Sequence, residues 1–403
     1  MQDSNAFRQP GTSEGQPVFL AWLPATHFGW GIAGLQIALH WCREGRLLPV
    51  MLRVQPQEFA VDPARLRLLE PTIRVSAAFA QQLARAPANV PLKLDVPVVQ
   101  AMGNQAVGLF IDVRGSSNIG RIVFEDTDFP PDAANRLQRM DVLTVVSQWN
   151  FEILRDVTDR PIIVNHEGVD SSQFFPGPRS GLWDSSRFYI FSGGKAEYRK
   201  GQDLILAAFK VFADRHPESV LVTAWQSPFP QMGVGLQGVL KSSLQRDATG
   251  KSLDVRRWAL ENGVDPSRVL EIGLVPNIYM PFILREMDCA ICASRAEGGT
   301  NLPLMEAMAC GVPVIVPRNT GMRDLIGPGN CLVLDHQSPV KTRENRNVQG
   351  WMESDVDEIV SALEALFASA SLRQQIGADG VRFMHQRSWK VHAERLAALV
   401  TET

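Results

Sequence analysis

The apolar run Asp288-Cys-Ala-Ile-Cys-Ala-Ser294 leads into Ala296-Glu-Gly-Gly-Thr-Asn-Leu-Pro-Leu-Met-Glu-Ala-Met-Ala-Cys-Gly-Val-Pro313, and this pair of segments constrains the fold more than any other part of the chain. A short apolar run bounded by turn residues reads as a strand buried on both faces, which belongs in a parallel sheet covered by helices. The second segment has the punctuation of a glycine loop and a short helix. Thr300 or Asn301 can cap the helix, and Pro303 is tolerated in its first turn. Gly311 can take the left-handed position beyond its end, and Pro313 stops it. The backbone N–H groups of Gly298, Gly299, Thr300 and Asn301 then converge at a helix N-terminus, which is an anion site.

The same rhythm of short apolar runs and helical periods recurs along the chain. Predicted strands cover residues 18–23, 50–54, 108–113, 121–124, 142–147 and 161–165. After the Pro/Gly-rich stretch Phe175-Pro-Gly-Pro-Arg-Ser-Gly181, further strands are predicted over 188–191, 220–225, 269–272, 289–293 and 314–316. With 403 residues the chain is long enough for two cores. The expected division is a disordered tail over 1–16, a first domain over 17–175 and a linker over 176–186. A second domain over 187–386 and a C-terminal helix over 387–403 complete it. Both domains are expected to be doubly wound α/β. The Gly-, Gln- and Ser-rich stretch 226–251 reads as a loop or insertion of no legible role.

Forty basic residues against 43 acidic ones leave a formal charge of -3, which provides no global field for nucleic acid. The five cysteines have no framework spacing, and Cys289 and Cys292 read as buried strand residues. The N-terminus lacks the order of a signal peptide, and no apolar run is long enough to span a bilayer. The expectation is a cytoplasmic protein with no transmembrane segment, able to touch the inner membrane peripherally.

Two carboxylates, Glu297 and Glu306, bracket the anion site, which suits phosphate alone poorly because like charges repel. Sugar hydroxyls resolve the conflict: Glu297 can accept from a hexose and Glu306 from the vicinal hydroxyls of a ribose. A second loop, Ser192-Gly-Gly-Lys-Ala-Glu-Tyr-Arg-Lys-Gly201, again lies between a predicted strand and a helix and carries Lys195, Arg199 and Lys200, suited to phosphate oxygens.

These residues resemble family 4 of the retaining glycosyltransferases, whose signature is two glutamates around a glycine-rich loop followed by Ala-Met-Ala-x-Gly-x-Pro. Glu297 and Glu306 match the glutamates, with eight residues between them where the family pattern has seven. By position, Lys195 and Lys200 match an Arg and a Lys that hold the donor diphosphate. Further similarity runs through Ser147-Gln-Trp-Asn150, Glu167-Gly-Val-Asp170, Glu271-Ile-Gly273, Gly321-Met-Arg-Asp324 and Ser388-Trp389. The resemblance implies a GT-B fold, two Rossmann-like domains facing a cleft, with the C-terminal helix crossing back to the N-domain. It also implies retention of anomeric configuration.

The N-terminal half is less specific. Gly29-Trp30-Gly31-Ile-Ala-Gly34 spells G-x-G-x-x-G, but five residues separate it from the first predicted strand and no acid ends the second, where Arg53 stands. In the glycosyltransferase reading, Gly29, Trp30 and Gly31 approach the donor; the plainer reading is a tight turn with close packing at Gly34. Asp126-Thr-Asp128 spells a metal-binding D-x-D, though two alternating carboxylates are common by chance. Glu125 and Asp126, together with Asn104 and His27, are acceptor-side candidates. The family's N-domain His motif is not evident at Gln100-Ala-Met-Gly-Asn104.

The expected activity is hexosyl transfer from a UDP- or GDP-sugar to a glycan, lipid-linked or other hydroxyl acceptor, in glycan or glycoconjugate biosynthesis. Glu297, Lys195 and Lys200 are its catalytic residues, and neither cofactor nor metal is needed. The alternatives are an NAD(P)-dependent oxidoreductase using the Gly29-Gly31-Gly34 loop and a non-catalytic nucleotide-sugar or glycan-binding protein.

Overall fold

Aliphatic and β-branched runs that must be covered on both faces decide the architecture. The computed structural model describes residues 15–51, 60–84, 92–108, 113–340 and 348–402. They form two units, one of residues 15–168 with 389–402, the other of 169–388.

The first unit is built on a six-stranded parallel sheet: β1 (Gln16–Ala21), β2 (Leu47–Met51), β3 (Val98–Met102), β4 (Asn118–Ile122), β5 (Val142–Val145) and β6 (Ile162–Val164). Its spatial order is β2-β1-β3-β4-β5-β6. Helix α1 (Gly29–Glu44) follows β1 and buries Ile32, Leu35 and Leu39, which recur at helical spacing. The last helix of the chain, Trp389–Glu402, is part of this unit: the indole of Trp41 donates to the Ala393 carbonyl at 3.0 Å, and Trp389, Leu396 and Val400 are buried.

The second unit repeats the principle with β7 (Phe188–Gly193), β8 (Ser219–Ala224), β9 (Val269–Glu271), β10 (Cys289–Ile291), β11 (Val314–Pro317) and β12 (Leu332–Leu334). All are parallel, in the order β9-β8-β7-β10-β11-β12. Its order reverses beside β7, between the connections that leave β7 and β10. Loops at the carboxyl ends of those two strands are where a doubly wound sheet binds its ligand. The helix after β7, α2 (Gln202–Arg215), buries Leu204, Ala208 and Phe212; the helix after β10, α3 (Leu302–Ala309), is almost wholly buried.

Several sequence expectations shift. The strand β3 was not predicted, although it pairs with both β1 and β4 in the middle of its sheet. Five residues with a polar Gln100 among them make too short a period. The predicted 121–124 strand instead starts at Asn118 and ends at Ile122. Of the predicted 50–54 and 108–113 strands, residues 52–54 and 109–112 lie outside the described residues, as do Arg53 and most of the N-terminal tail. The stretch 226–251 is irregular but built: its one helical turn is Pro230–Met232, and Leu236 and Leu244 are buried. Asp203 accepts from the Val239 N–H at 3.1 Å, and Asn262 accepts from the N–H groups of Lys241 and Ser242.

Candidate functional site

The site is assembled from the loops that leave β7 and β10. Of the two cap candidates, Thr300 and Asn301, it is Asn301 that caps α3, its side chain accepting from the Leu304 N–H at 3.2 Å. Its backbone is left-handed, with φ 59°. Among non-glycine residues Asn tolerates that region best. The same side chain donates through Nδ2 to Glu297 Oε1 at 2.8 Å, so one residue both starts the helix and orients the loop carboxylate. Pro303 lies in the first turn and Gly311, at φ 80°, lies beyond the last, as the punctuation predicts.

Glu297 is buried and encircled. Lys200 Nζ donates to both its oxygens at 2.7 and 2.8 Å, Arg199 donates to Oε2 at 2.8 Å, and Ser294 Oγ donates to Oε1 at 2.7 Å. Burial alone would push this carboxyl up, but Lys200 and Arg199 outweigh it and hold Glu297 at about 2. It is therefore a carboxylate at any physiological pH. From the other side, its own N–H donates to Thr320 Oγ1 at 2.9 Å and its carbonyl accepts from the Gly321 N–H at 3.0 Å. A Cβ at Gly321 would lie 2.1 Å from the Gly299 carbonyl oxygen, so only glycine lets that turn clamp the loop.

The β7 loop adds a second carboxylate. Glu197 pairs with Arg199 and, at 3.2 Å, with Lys195. Its carboxyl also sits below the usual range, because Arg199, Lys195 and Lys200 overcome the effect of burial. Between the two loops three cations face two carboxylates, leaving one positive charge in excess. Lys195 is the most loosely held of the three: a third of its side chain is exposed, and its other neighbour is the Met232 thioether at 3.6 Å. Nothing local in the sequence signals that Lys200 and Arg199 hold Glu297 directly, because residues a hundred apart in the chain meet only across β7 and β10.

Beneath the loops lies a buried Arg295, which forks onto Asp203 at 2.7 and 2.8 Å, reaches Glu353 at 2.7 Å and stacks on Tyr198 with 3.9 Å to the ring centroid. Its burial opposes the charge, yet the paired carboxylates keep it firmly protonated. Removing one partner of such a pair costs about 3–5 kcal/mol. Arg295 and Asp203 escape a reading of the sequence; the only signal is a charge immediately after an apolar strand.

Glu306 has the opposite environment. It is buried on the second turn of α3, where Asn277 Nδ2 donates to its Oε1 at 2.5 Å. Burial, opposed only by that bond, pushes its carboxyl up to about 8.

In the first unit, Asn104, Glu125 and Asp126 come together: Asn104 Oδ1 accepts from the N–H groups of Glu125 at 2.8 Å and Asp126 at 3.1 Å. The two residues after Asn104, Gln105 and Ala106, both have positive φ. Asp126 is turned into its own loop, accepting from the Asp128 N–H at 3.1 Å, while Asp128 is exposed. Among the described residues no three His, Cys, Asp or Glu side chains gather as a metal set. His27 is exposed beside Thr26.

The glycines of the G-x-G-x-x-G stretch serve packing. A Cβ at Gly31 would lie 2.5 Å from the Ala25 side chain, and one at Gly34 would lie 2.5 Å from the Trp22 ring. Trp22 in turn donates to the Trp30 carbonyl at 2.6 Å. Arg121, buried and paired with Glu167, stacks under Trp22 at 4.9 Å and under Trp30 at 5.8 Å. The sheet order of this unit also differs from the 3-2-1-4-5-6 order of dinucleotide-binding domains. Both observations count against the oxidoreductase alternative. Cys289 and Cys292 are buried as free thiols, and burial raises Cys292 to about 11.

Two doubly wound parallel sheets, the second with a glycine loop and helix beside a basic loop, define the chain as a protein of the GT-B glycosyltransferase fold. Residues 187–369 match the family model Glycosyl transferases group 1. Over 292 residues the chain is 24% identical to the GDP-mannose-dependent alpha-(1-6)-phosphatidylinositol monomannoside mannosyltransferase of Mycolicibacterium smegmatis, covering 67% of this chain and 66% of that one. Over 279 residues it is 25% identical to a GDP-mannose-dependent monoacylated alpha-(1-6)-phosphatidylinositol monomannoside mannosyltransferase of Corynebacterium glutamicum, covering 65% and 62%. The chain thus spans just under two thirds of these relatives. Among solved structures, sucrose-phosphate synthase of Thermosynechococcus elongatus superposes with a TM-score of 0.66 at 16% identity, covering 96% of this chain and 98% of that one. Anabaena HepE, solved with UDP and glucose, gives 0.61 at 14%, covering 96% and 100%.

Proposed function

We propose that this protein transfers a hexose from a nucleotide-diphosphate sugar to an acceptor hydroxyl with retention of anomeric configuration, in the synthesis of a glycan or glycoconjugate. One observation carries the reading: a carboxylate, Glu297, is held ionised by Lys200 and Arg199 at the mouth of a glycine loop that opens a helix. The surplus positive charge of the two loops suits a diphosphate, and a fixed carboxylate beside it suits sugar hydroxyls. In the transition state the leaving diphosphate gains negative charge. Lys195, Lys200 and the amides of Gly298, Gly299, Thr300 and Asn301 stabilise it from a preorganised position, with no metal ion. Glu297 orients the hexose and Glu306 accepts from the ribose. Arg199 supports Glu297. Gly29, Trp30 and Gly31 contribute on the donor side, and Asn104, Glu125, Asp126 and His27 on the acceptor side.

The names of the mannosyltransferase relatives make GDP-mannose the first donor to test, with a lipid-linked acceptor that peripheral contact with the cytoplasmic face of a membrane would reach. No helix among the described residues is long and apolar enough to cross a membrane. Incubation with a panel of GDP- and UDP-sugars tests the reading: transfer, or slow release of the nucleoside diphosphate, is expected with at least one donor. Nucleotide binding with no turnover across the panel and a range of acceptors would refute it in favour of a binding protein. Retention is read from the anomeric configuration of the product by NMR.

A further inference from the structure

We propose that Asn277 is a positioning residue for the ribose-binding carboxyl, holding Glu306 by one hydrogen bond while Gln173 fixes the direction of its amide, so that nucleotide binding is coupled to the turn around Gln173. The inference rests on the reading of Glu306 as the ribose acceptor.

Asn277 is buried and opens the short turn Asn277–Tyr279 beyond β9. It stands between two groups. On one side Nδ2 donates to Glu306 Oε1; on the other, Gln173 Nε2 donates to the Asn277 backbone carbonyl at 2.8 Å and lies 3.3 Å from its Oδ1. The backbone carbonyl is only an acceptor, so it fixes the Gln173 amide, and the nitrogen of that amide then faces Asn277 Oδ1. Turning the Asn277 amide over would set nitrogen against nitrogen on the Gln173 side, and would leave the ionised form of Glu306 facing an acceptor in place of a donor. Gln173 therefore selects the orientation in which Asn277 offers Glu306 a donor. Gln173 is itself held: its N–H donates to the Asp170 carbonyl at 3.0 Å, and Arg285 donates to the carbonyls of Gln173 and Phe175 at 3.4 and 3.1 Å.

The groups around Glu306 give this single bond its weight. Just beyond its own helix lies Cys310, a thiol that burial raises to about 12, and Arg285, after the short helix Met280–Leu284, acts on that thiol. Asn277 and Gln173 are neutral amides. Burial therefore leaves Glu306 protonated for much of the time at neutral pH, with the Asn277 amide drawing it towards the carboxylate. Two vicinal hydroxyls donate best to a carboxylate, whose two oxygens both accept. Nucleotide binding should then release a proton, and affinity should rise with pH until Glu306 is ionised in the free protein.

The test is titration calorimetry of the full chain with GDP and with UDP between pH 7 and pH 9.5, above the terminal phosphate ionisation near ~6. Repeating it in buffers of different ionisation enthalpy counts protons. For wild type, affinity should climb to a plateau above about pH 8, with proton release below it. Asn277→Ala should bind roughly tenfold more weakly at pH 7.5 and move the midpoint up by about one unit, since one unit is a tenfold change. Asn277→Asp keeps the shape and should shift it further, because two carboxyls then share one proton. Gln173→Ala should produce a smaller shift in the same direction. Glu306→Gln should be weak and flat across the window. Wild-type affinity and midpoint in Asn277→Ala and Asn277→Asp, with a weak Glu306→Gln, would overturn the role of Asn277 and leave the ribose reading standing. A Glu306→Gln that binds and titrates as wild type would overturn the ribose reading and this inference with it.

Discussion

Replacing Glu306 with Gln should make the protein more stable at neutral pH, and increasingly so as pH rises. The carboxyl is buried with one hydrogen bond, and burial raises it from 4.5 to about 8. For a group whose folded value is raised, its contribution to stability is fully present below about 4.5 and is lost progressively as pH rises towards 8. Each unit of separation is worth about 1.4 kcal/mol, so the ionisable group costs about 3 kcal/mol at pH 7 and levels off near ~5 kcal/mol above pH 8. An amide carries no such cost. For a unit of this size the pH 7 difference corresponds to a rise in Tm of roughly 6–12 °C. The assay is thermal and urea denaturation of wild type and Glu306→Gln at pH 4.5, 7 and 8.5. The variant should match wild type at pH 4.5 and separate from it above. Equal or lower stability of the variant at pH 8.5 would refute the reasoning, because the carboxyl would then be ionised and satisfied by a partner other than Asn277.

Glu297→Gln should do the reverse. A carboxyl depressed to about 2 supplies stability above 4.5 that is lost as pH falls to 2, so denaturation at pH 7 should show a loss of about 3 kcal/mol that vanishes in acid. The same variant should lose transfer while binding the nucleoside diphosphate nearly normally by calorimetry, because the diphosphate lacks the hexose. Lys200→Ala should reduce turnover about 10²- to 10³-fold in initial-rate assays, the scale for one preorganised donor, and an unchanged rate in a folded variant would remove Lys200 from the machinery. A chelator should leave most activity in the same assay; complete loss restored by manganese would make Asp126 and Asp128 ligands. Gly34→Ala, whose Cβ would sit 2.5 Å from the Trp22 ring, should cost about 1–3 kcal/mol by denaturation, and no loss would mean that α1 is free to shift.

Local patterns carried much of this protein because they depend on neighbours in the chain. The strand–loop–helix at 288–313 was legible, since a cap, an N-terminal proline and a left-handed C-terminal glycine act within a few residues of one another. The buried cysteines and the repeated βα rhythm came from the same short-range logic. β3 escaped because a short central strand with a polar residue has no period of its own; its place is set by the strands on either side.

The distribution of charge, by contrast, belongs to the folded chain. Two glutamates of the same chemistry stand nine positions apart in the sequence, and nothing near them says that one is ionised by Lys200 and Arg199 while the other is met by a single amide. That difference comes from which distant loops meet each carboxyl: the β7 loop brings cations to Glu297, and the turn after β9 brings Asn277 to Glu306. The fork of Arg295 onto Asp203 and the stack of Arg121 under Trp22 have the same origin. Burial and pairing are sums over partners remote in sequence, and the chain specifies them only once its sheets have formed.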